Sequence, residues 1–178
     1  MKFTKTKIEG VYVIDLEPRG DARGYFTRVF CKDELRKVGI KYEIAQVNRS
    51  FTVEKGTIRG LHYQRSPEQE DKIIQCVKGS IFDVALDLRK KSKTYGKWFG
   101  LELSEKNKRM LLIPKGCAHA FQTLVKNVAV EYFVSEYYSP NYESGIRWDD
   151  PAFKVAWPIK KPKLSDKDAN WPLVTKTK

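Results

Sequence analysis

Residues 81–88, IFDVALDL, alternate strictly: Phe82, Val84, Leu86 and Leu88 fall on one side of an extended chain, Asp83 and Asp87 on the other. A period of two specifies a β-strand with one face committed to apolar packing. Short apolar runs of this kind recur at 11–14, 43–47, 57–64, 73–77, 98–103, 109–113, 118–124 and 128–134. Turn residues such as Pro18-Arg19-Gly20-Asp21 and Lys78-Gly79-Ser80 separate them. Only 32–38 predicts a convincing helix, with Asp33 placed to cap its start and Gly39 to end it. Many short strands with Gly/Pro turns and almost no helix predict an all-β sandwich or barrel. The 178 residues suit one domain with a sizeable core, and no repeat or compositional break divides them. From Pro140 the chain turns irregular and aromatic, through Tyr142, Trp148, Phe153, Trp157 and Trp171. That segment, about 140–178, is expected to wrap the barrel, because it carries too many large apolar side chains for a disordered tail.

Several function classes are disfavoured at once. No apolar run is long enough to cross a bilayer, and the first residues, MKFTKTKIEG, hold no signal-peptide core, so a cytoplasmic protein is expected. Cys31, Cys76 and Cys117 are odd in number and far apart, which argues against a disulfide framework or a thiolate zinc site and for plain buried or half-buried thiols. Two histidines without an H-x-H pair give too few ligands for a metal. Dinucleotide, P-loop and nucleophile-elbow motifs are absent. The net charge of +12, from 34 Lys and Arg against 22 Asp and Glu, favours an anionic partner such as nucleic acid, an acidic membrane surface or a phosphorylated small molecule. Part of that surplus is a solvated lysine-rich surface and the tail at 176–178.

Cofactor-free proton chemistry fits what is left. His62 lies in TIRGLHYQ, with Arg59, Gln64 and, a strand later, Lys72 near it; His119 starts a strand after a Pro/Gly turn. Strict alternation sets His62 opposite Arg59, unless Gly60 forms a bulge that turns both inward. Tyr132 shares a face with Val130 and Val128 and points into the expected core, where a phenol needs a partner or passes a proton. A histidine base, a tyrosine acid and a lysine beside a developing oxyanion suit removal of a proton next to a carbonyl.

The motifs RGYF (23–26), QVNRS (46–50), GTIRGLHYQ (56–64), FDVALDLR (82–89), YGKW (95–98), IPKGCAHAF (113–121), GIRWDDP (145–151) and LSDKD (164–168) together resemble the dTDP-4-dehydrorhamnose 3,5-epimerase family over nearly the whole chain. The resemblance implies a cupin-like antiparallel β-barrel or jelly roll with a few short helices, a homodimer, and neither cofactor nor metal. It implies epimerisation of a nucleotide-linked 4-keto-6-deoxy sugar beside the keto group. On the matching positions His62 is the base, Tyr132 the acid on the opposite face, Asp168 the carboxylate that orients the histidine, and Lys72 the group near the keto oxygen. Arg23, Gln46, Asn48, Arg59, His119, Glu143 and Lys167 match places that grip phosphate, sugar or base, and Tyr138 matches the aromatic that stacks on the nucleobase. Phe26, Arg28 and Gln64 complete the expected binding set. The chain departs from the family pattern at Arg28, where glutamate is usual, and at Val47, Ala120 and Phe133. Alternatives are a 3- or 5-mono-epimerase of a CDP- or other NDP-linked keto sugar, and an isomerase that moves the carbonyl. A basic barrel for single-stranded nucleic acid fits less well, because the aromatics cluster in the C-terminal segment and no RNP pattern is present.

Overall fold

The computed structural model describes residues 1–174; the tail at 176–178 lies outside them. In chain order the elements are β1 (Lys2–Lys5), β2 (Tyr12–Asp15), β3 (Arg19–Asp21), β4 (Gly24–Phe26), α1 (Lys32–Lys37), β5 (Gln46–Thr52), β6 (Ile58–Gln64) and β7 (Lys72–Lys78). They continue with β8 (Ser80–Asp87), β9 (Trp98–Ser104), β10 (Arg109–Ile113), β11 (Cys117–Thr123), β12 (Val128–Val134), β13 (Glu143–Gly145) and α2 (Asp166–Ala169). Two antiparallel sheets form, one in the order β1-β2-β10-β7-β12-β5 and one in the order β13-β6-β11-β8-β9. From β5 onward successive strands alternate between the sheets, except for the β8–β9 pair, the arrangement of a cupin-like jelly roll. The strands β3 and β4 pair only with each other, as a small separate hairpin.

Three apolar layers hold this together. Ile74, Cys76, Leu111, Phe121 and Val130 from both sheets pack between them. Outside the five-stranded sheet, Val84, Leu86 and Leu61 pack against Ile146, Phe153 and Trp157, so the C-terminal segment wraps the barrel as far as the described residues run. Outside the six-stranded sheet, Ile73, Met110, Leu112 and Phe133 meet Leu35 of α1 and Tyr42. Strand β8 is therefore buried on both faces. The apolar side of its alternation packs under the C-terminal segment, and Asp83 and Asp87 point into the barrel with no exposed surface.

Local differences from expectation have local causes. The helix α1 starts after Cys31, which makes no side-chain cap; Asp33 sits in the first turn instead, where a negative charge suits the helix dipole. Gly39, at φ +82°, does follow the helix, and its N–H bonds to the Arg36 carbonyl. The one-turn helix α2 was too short to show a period; Ser165 caps it by accepting from the Asp168 N–H. Strand β5 starts at Gln46, not at residue 43, and runs on to Thr52. Its inward positions are polar, so the apolar-run criterion ended it early. Cys76 and Cys117 are buried free thiols, each pushed up to about 12 by burial, and Cys31 is half-buried.

Asp87 is costly to bury, and five donors compensate it: the Arg89 backbone N–H, Nε and Nη2, and the Ser92 and Thr94 hydroxyls, at 2.6–3.0 Å. Burial pushes its carboxyl up, but these donors outweigh it and hold the group well below the usual carboxylate range. Asp87→Asn should cost about 3 kcal/mol in urea unfolding at pH 7, because Arg89 loses its anion. A depressed folded-state pKa stabilises above the unfolded value of about 4 and is lost as pH falls. The gap between parent and variant should therefore narrow between pH 5 and pH 2; a gap independent of pH would contradict this.

Candidate active site

Sequence alone left open whether Arg59 and His62 could share a face. They do, because β6 carries one extra residue. His119 pairs with His62 and Phe121 pairs with Arg59, so three steps on β6 span two on β11. Directly opposed residues in an antiparallel pair share a face. The surplus falls at Gly60-Leu61 and forms a bulge. Glycine is required there: φ is +129°, and a Cβ would lie 2.3 Å from the Ala120 Cβ and 2.6 Å from the His119 carbonyl oxygen. Leu61 then joins the outer layer while His62 turns inward.

Between the sheets, at the open end of the barrel, lies a cavity of about 400 Å³ walled by His62, Tyr63, Gln64, Lys72 and Tyr132, with Gln46, Asn48, Glu70, Tyr138 and Glu143 around them. That volume suits a small-molecule site. His62 comes from the five-stranded sheet, Tyr132 and Lys72 from the six-stranded one.

The His62 Nε2 lies 2.5 Å from Asp168 Oδ1. A carboxylate only accepts, so Nε2 carries the proton and Nδ1 is the basic nitrogen of the neutral ring. Burial works to raise the Asp168 carboxyl, but hydrogen bonds, chiefly from His62 and also from Trp171 Nε1 at 3.3 Å, hold it below its ordinary value. The Trp171 ring also packs edge-on to the imidazole at 6.0 Å. It occupies the space a side chain at Gly145 would need, since a Cβ there would lie 2.2 Å from the indole. The wrapping segment thus supplies both the carboxylate and the ring that fix the histidine.

Tyr132 keeps its inward direction. Burial drives its phenol above the ordinary value, with a hydrogen bond to Ser50 opposing the shift. Lys72 Nζ lies 2.9 Å from Glu70 Oε1, and both are largely buried. Glu70 was not picked out from the sequence, although its place two residues before Lys72 puts both on one side of an extended chain. At the rim, Tyr138 donates to Glu143 at 2.7 Å, and Lys167 donates to the other Glu143 oxygen at 2.6 Å.

Other expected binding residues sit differently. Gln64 reaches the wall, but its amide is engaged by backbone: it donates to the Glu68 and Tyr137 carbonyls and accepts from the Ser139 N–H. Its visible role is to hold the rim loop. His119 lies behind the wall, bonded through Nε2 to buried Asp83 at 2.7 Å, with its ring edge-on to Tyr132 at 6.1 Å. Arg59 opens onto a neighbouring depression shared with Asp168 and Ser165, its Nε bonded to Thr52. Arg23 and Phe26 are exposed on the β3–β4 hairpin, and Arg28 pairs with Glu34 at 2.9 Å; none lines the cavity within one chain.

Residues 5–176 match the family described as dTDP-4-dehydrorhamnose 3,5-epimerase. The chain belongs to that family. It is 43% identical to the epimerase of that name from Shigella flexneri over 171 residues, covering 96% of this chain and 94% of the relative. The crystal structure of the Bacillus anthracis enzyme, with TDP and PPi bound, superposes with a TM-score of 0.94 at 43% identity, covering 97% of this chain and 99% of that one. The Legionella pneumophila enzyme in complex with dTDP-4-keto-L-rhamnose gives 0.91 at 37% identity, covering 97% and 92%. The family expectation is borne out, and with it the fold and the isomerase class.

Positions that depart from the family pattern turn away from the cavity. Val47 is exposed on the outer face of β5, Phe133 packs in the layer outside the six-stranded sheet, and Ala120 lies buried against Gly60. Gly60→Ala should therefore remove about 3 kcal/mol of stability, lowering Tm by about 6–12 °C in calorimetry. Adding Ala120→Gly should not restore it, because the His119 carbonyl and the Ala120 Cα still crowd the new methyl group. Full recovery in the double variant would show that the methyl–methyl contact alone mattered.

Proposed function

We propose that the protein is a cofactor-independent 3,5-epimerase of a dTDP-linked 4-keto-6-deoxy sugar, acting in the cytoplasm in deoxysugar and cell-surface polysaccharide biosynthesis. The observation that carries this reading is the pair His62 and Tyr132, which reach one cavity from opposite sheets. A carbon beside a ketone is acidic only if the electron pair left behind can move to oxygen. His62 Nδ1 takes the proton, the C–H electrons form the enolate, and the Lys72 ammonium stands against the developing oxyanion. Tyr132 then returns a proton to the opposite face of the same carbon, which inverts it. The neighbouring carbon on the other side of the keto group follows by the same steps. Asp168 keeps the imidazole in the tautomer this needs. Arg59 and Lys167 are cations suited to a pyrophosphate near the mouth, and Tyr138 offers an exposed ring for a base to stack on.

The test is solvent exchange. With dTDP-4-keto-6-deoxyglucose in deuterated water, NMR should show deuterium entering at carbons 3 and 5. His62→Ala should abolish entry at both, and Tyr132→Phe should keep some exchange while impairing epimer formation. Acid and base groups contribute about 10²–10⁴, so a loss below tenfold in either variant contradicts its role. Deuterium at one carbon only would make the protein a mono-epimerase, and a moved carbonyl would make it a keto-sugar isomerase.

A homodimer belongs to the same reading. Strand β5 is a sheet edge whose outer side chains Val47 and Phe51, with Val53 just past its end, are more than half exposed, and the detached β3–β4 hairpin exposes Tyr25 and Phe26. Open edges with apolar side chains favour pairing. One subunit's hairpin docked beside β5 of its partner would cover both and bring Arg23 and Phe26 toward a cavity. Sedimentation should give twice the chain mass, and Phe26→Asp with Phe51→Asp should shift it to monomer; a monomeric parent at micromolar concentration would remove the proposal.

A further inference from the structure

The hydroxyl of Ser50 lies 2.9 Å from the Tyr132 phenol oxygen. Strand register explains the meeting. On the β5–β12 pair Val130 faces Ser50 and Tyr132 faces Asn48, so Ser50 is the diagonal neighbour of Tyr132 on its inner face. The ring is also fixed from behind by the edge-on His119. Within its own sheet the phenol oxygen thus has one side-chain partner, on an edge strand that contributes little else to the core.

We propose that Ser50 is a positioning residue for the acid step: its hydroxyl donates to the Tyr132 oxygen, aims the phenol hydrogen at the substrate carbon, and holds the phenolate that the transfer leaves. The proposal rests on Tyr132 being the acid. In that step the phenol O–H bond breaks and a C–H bond forms from the enolate electron pair. The O–H pair stays on the phenolate, and Ser50 keeps its own proton while its hydrogen bond becomes charge-assisted. The proton taken by His62 is released to water, and water restores the phenol before the next cycle. A buried phenolate without a donor is costly, and burial already disfavours ionisation of this ring. Serine suits the place, because one small hydroxyl offers a donor without filling the cavity.

The experiment compares Ser50→Ala, Ser50→Thr and Tyr132→Phe, alone and combined, under the exchange assay above. In Ser50→Ala, deuterium entry should stay within twofold of the parent while epimer formation falls about tenfold and KM changes less than twofold. Ser50→Thr should recover epimer formation to within threefold. Ser50→Ala added to Tyr132→Phe should cost less than a further twofold. Parallel loss of exchange and epimer formation, an additive loss in the double variant, or a parental rate in Ser50→Ala would each overturn the proposal. Should Tyr132→Phe itself run at the parental rate, the acid assignment fails, and the role of Ser50 falls with it.

Discussion

The hydrogen bond between His62 and Asp168 joins residues 106 positions apart. One partner sits on a central barrel strand and the other on a single turn of helix in the wrapping segment. Neither is useful alone. The imidazole needs an acceptor to fix which nitrogen is basic, and the carboxylate needs donors to offset its burial. The bulge at Gly60 turns the histidine inward, and the aromatic packing of 146–157 on the outer face of the sheet sets the path by which Asp168 arrives. Much of the fold can be understood as the scaffold for this one contact.

Ionisable residues stand in and around the cavity, yet their charges come in pairs: Lys72 with Glu70, Lys167 with Glu143, and His62 with Asp168. Pairing limits the desolvation cost of crowding ionisable groups between two sheets. It also keeps long side chains in place before a ligand arrives, which lowers the ordering entropy of binding. The chain's surplus of positive charge lies mostly elsewhere, on a surface that attracts a phosphorylated ligand without touching it.

Much of this could be read from residue order. Strands β6 to β12 lie within a residue of their alternating runs, because each has at least one face in an apolar layer. The signal failed where that condition fails. Strands β1, β3, β4 and β13 are three or four residues long, the first three of them largely exposed, and α2 is one turn. Asp83 was visible as the polar side of an alternation, but its burial depended on the C-terminal segment covering the apolar side. The set His62, Tyr132, Lys72 and Asp168, to which the proposed mechanism assigns its roles, was legible through the family motifs. That His119 bonds to Asp83 and Gln64 to backbone of the rim loop was not, because it depends on which neighbour each amide or ring nitrogen finds in space.

The order of synthesis gives the wrap another significance. Every strand of both large sheets except β13 precedes residue 140, so the strand that carries His62 is made well before the carboxylate that bonds to it. In the mechanism proposed above, the base is complete only once the last described turn of helix has docked.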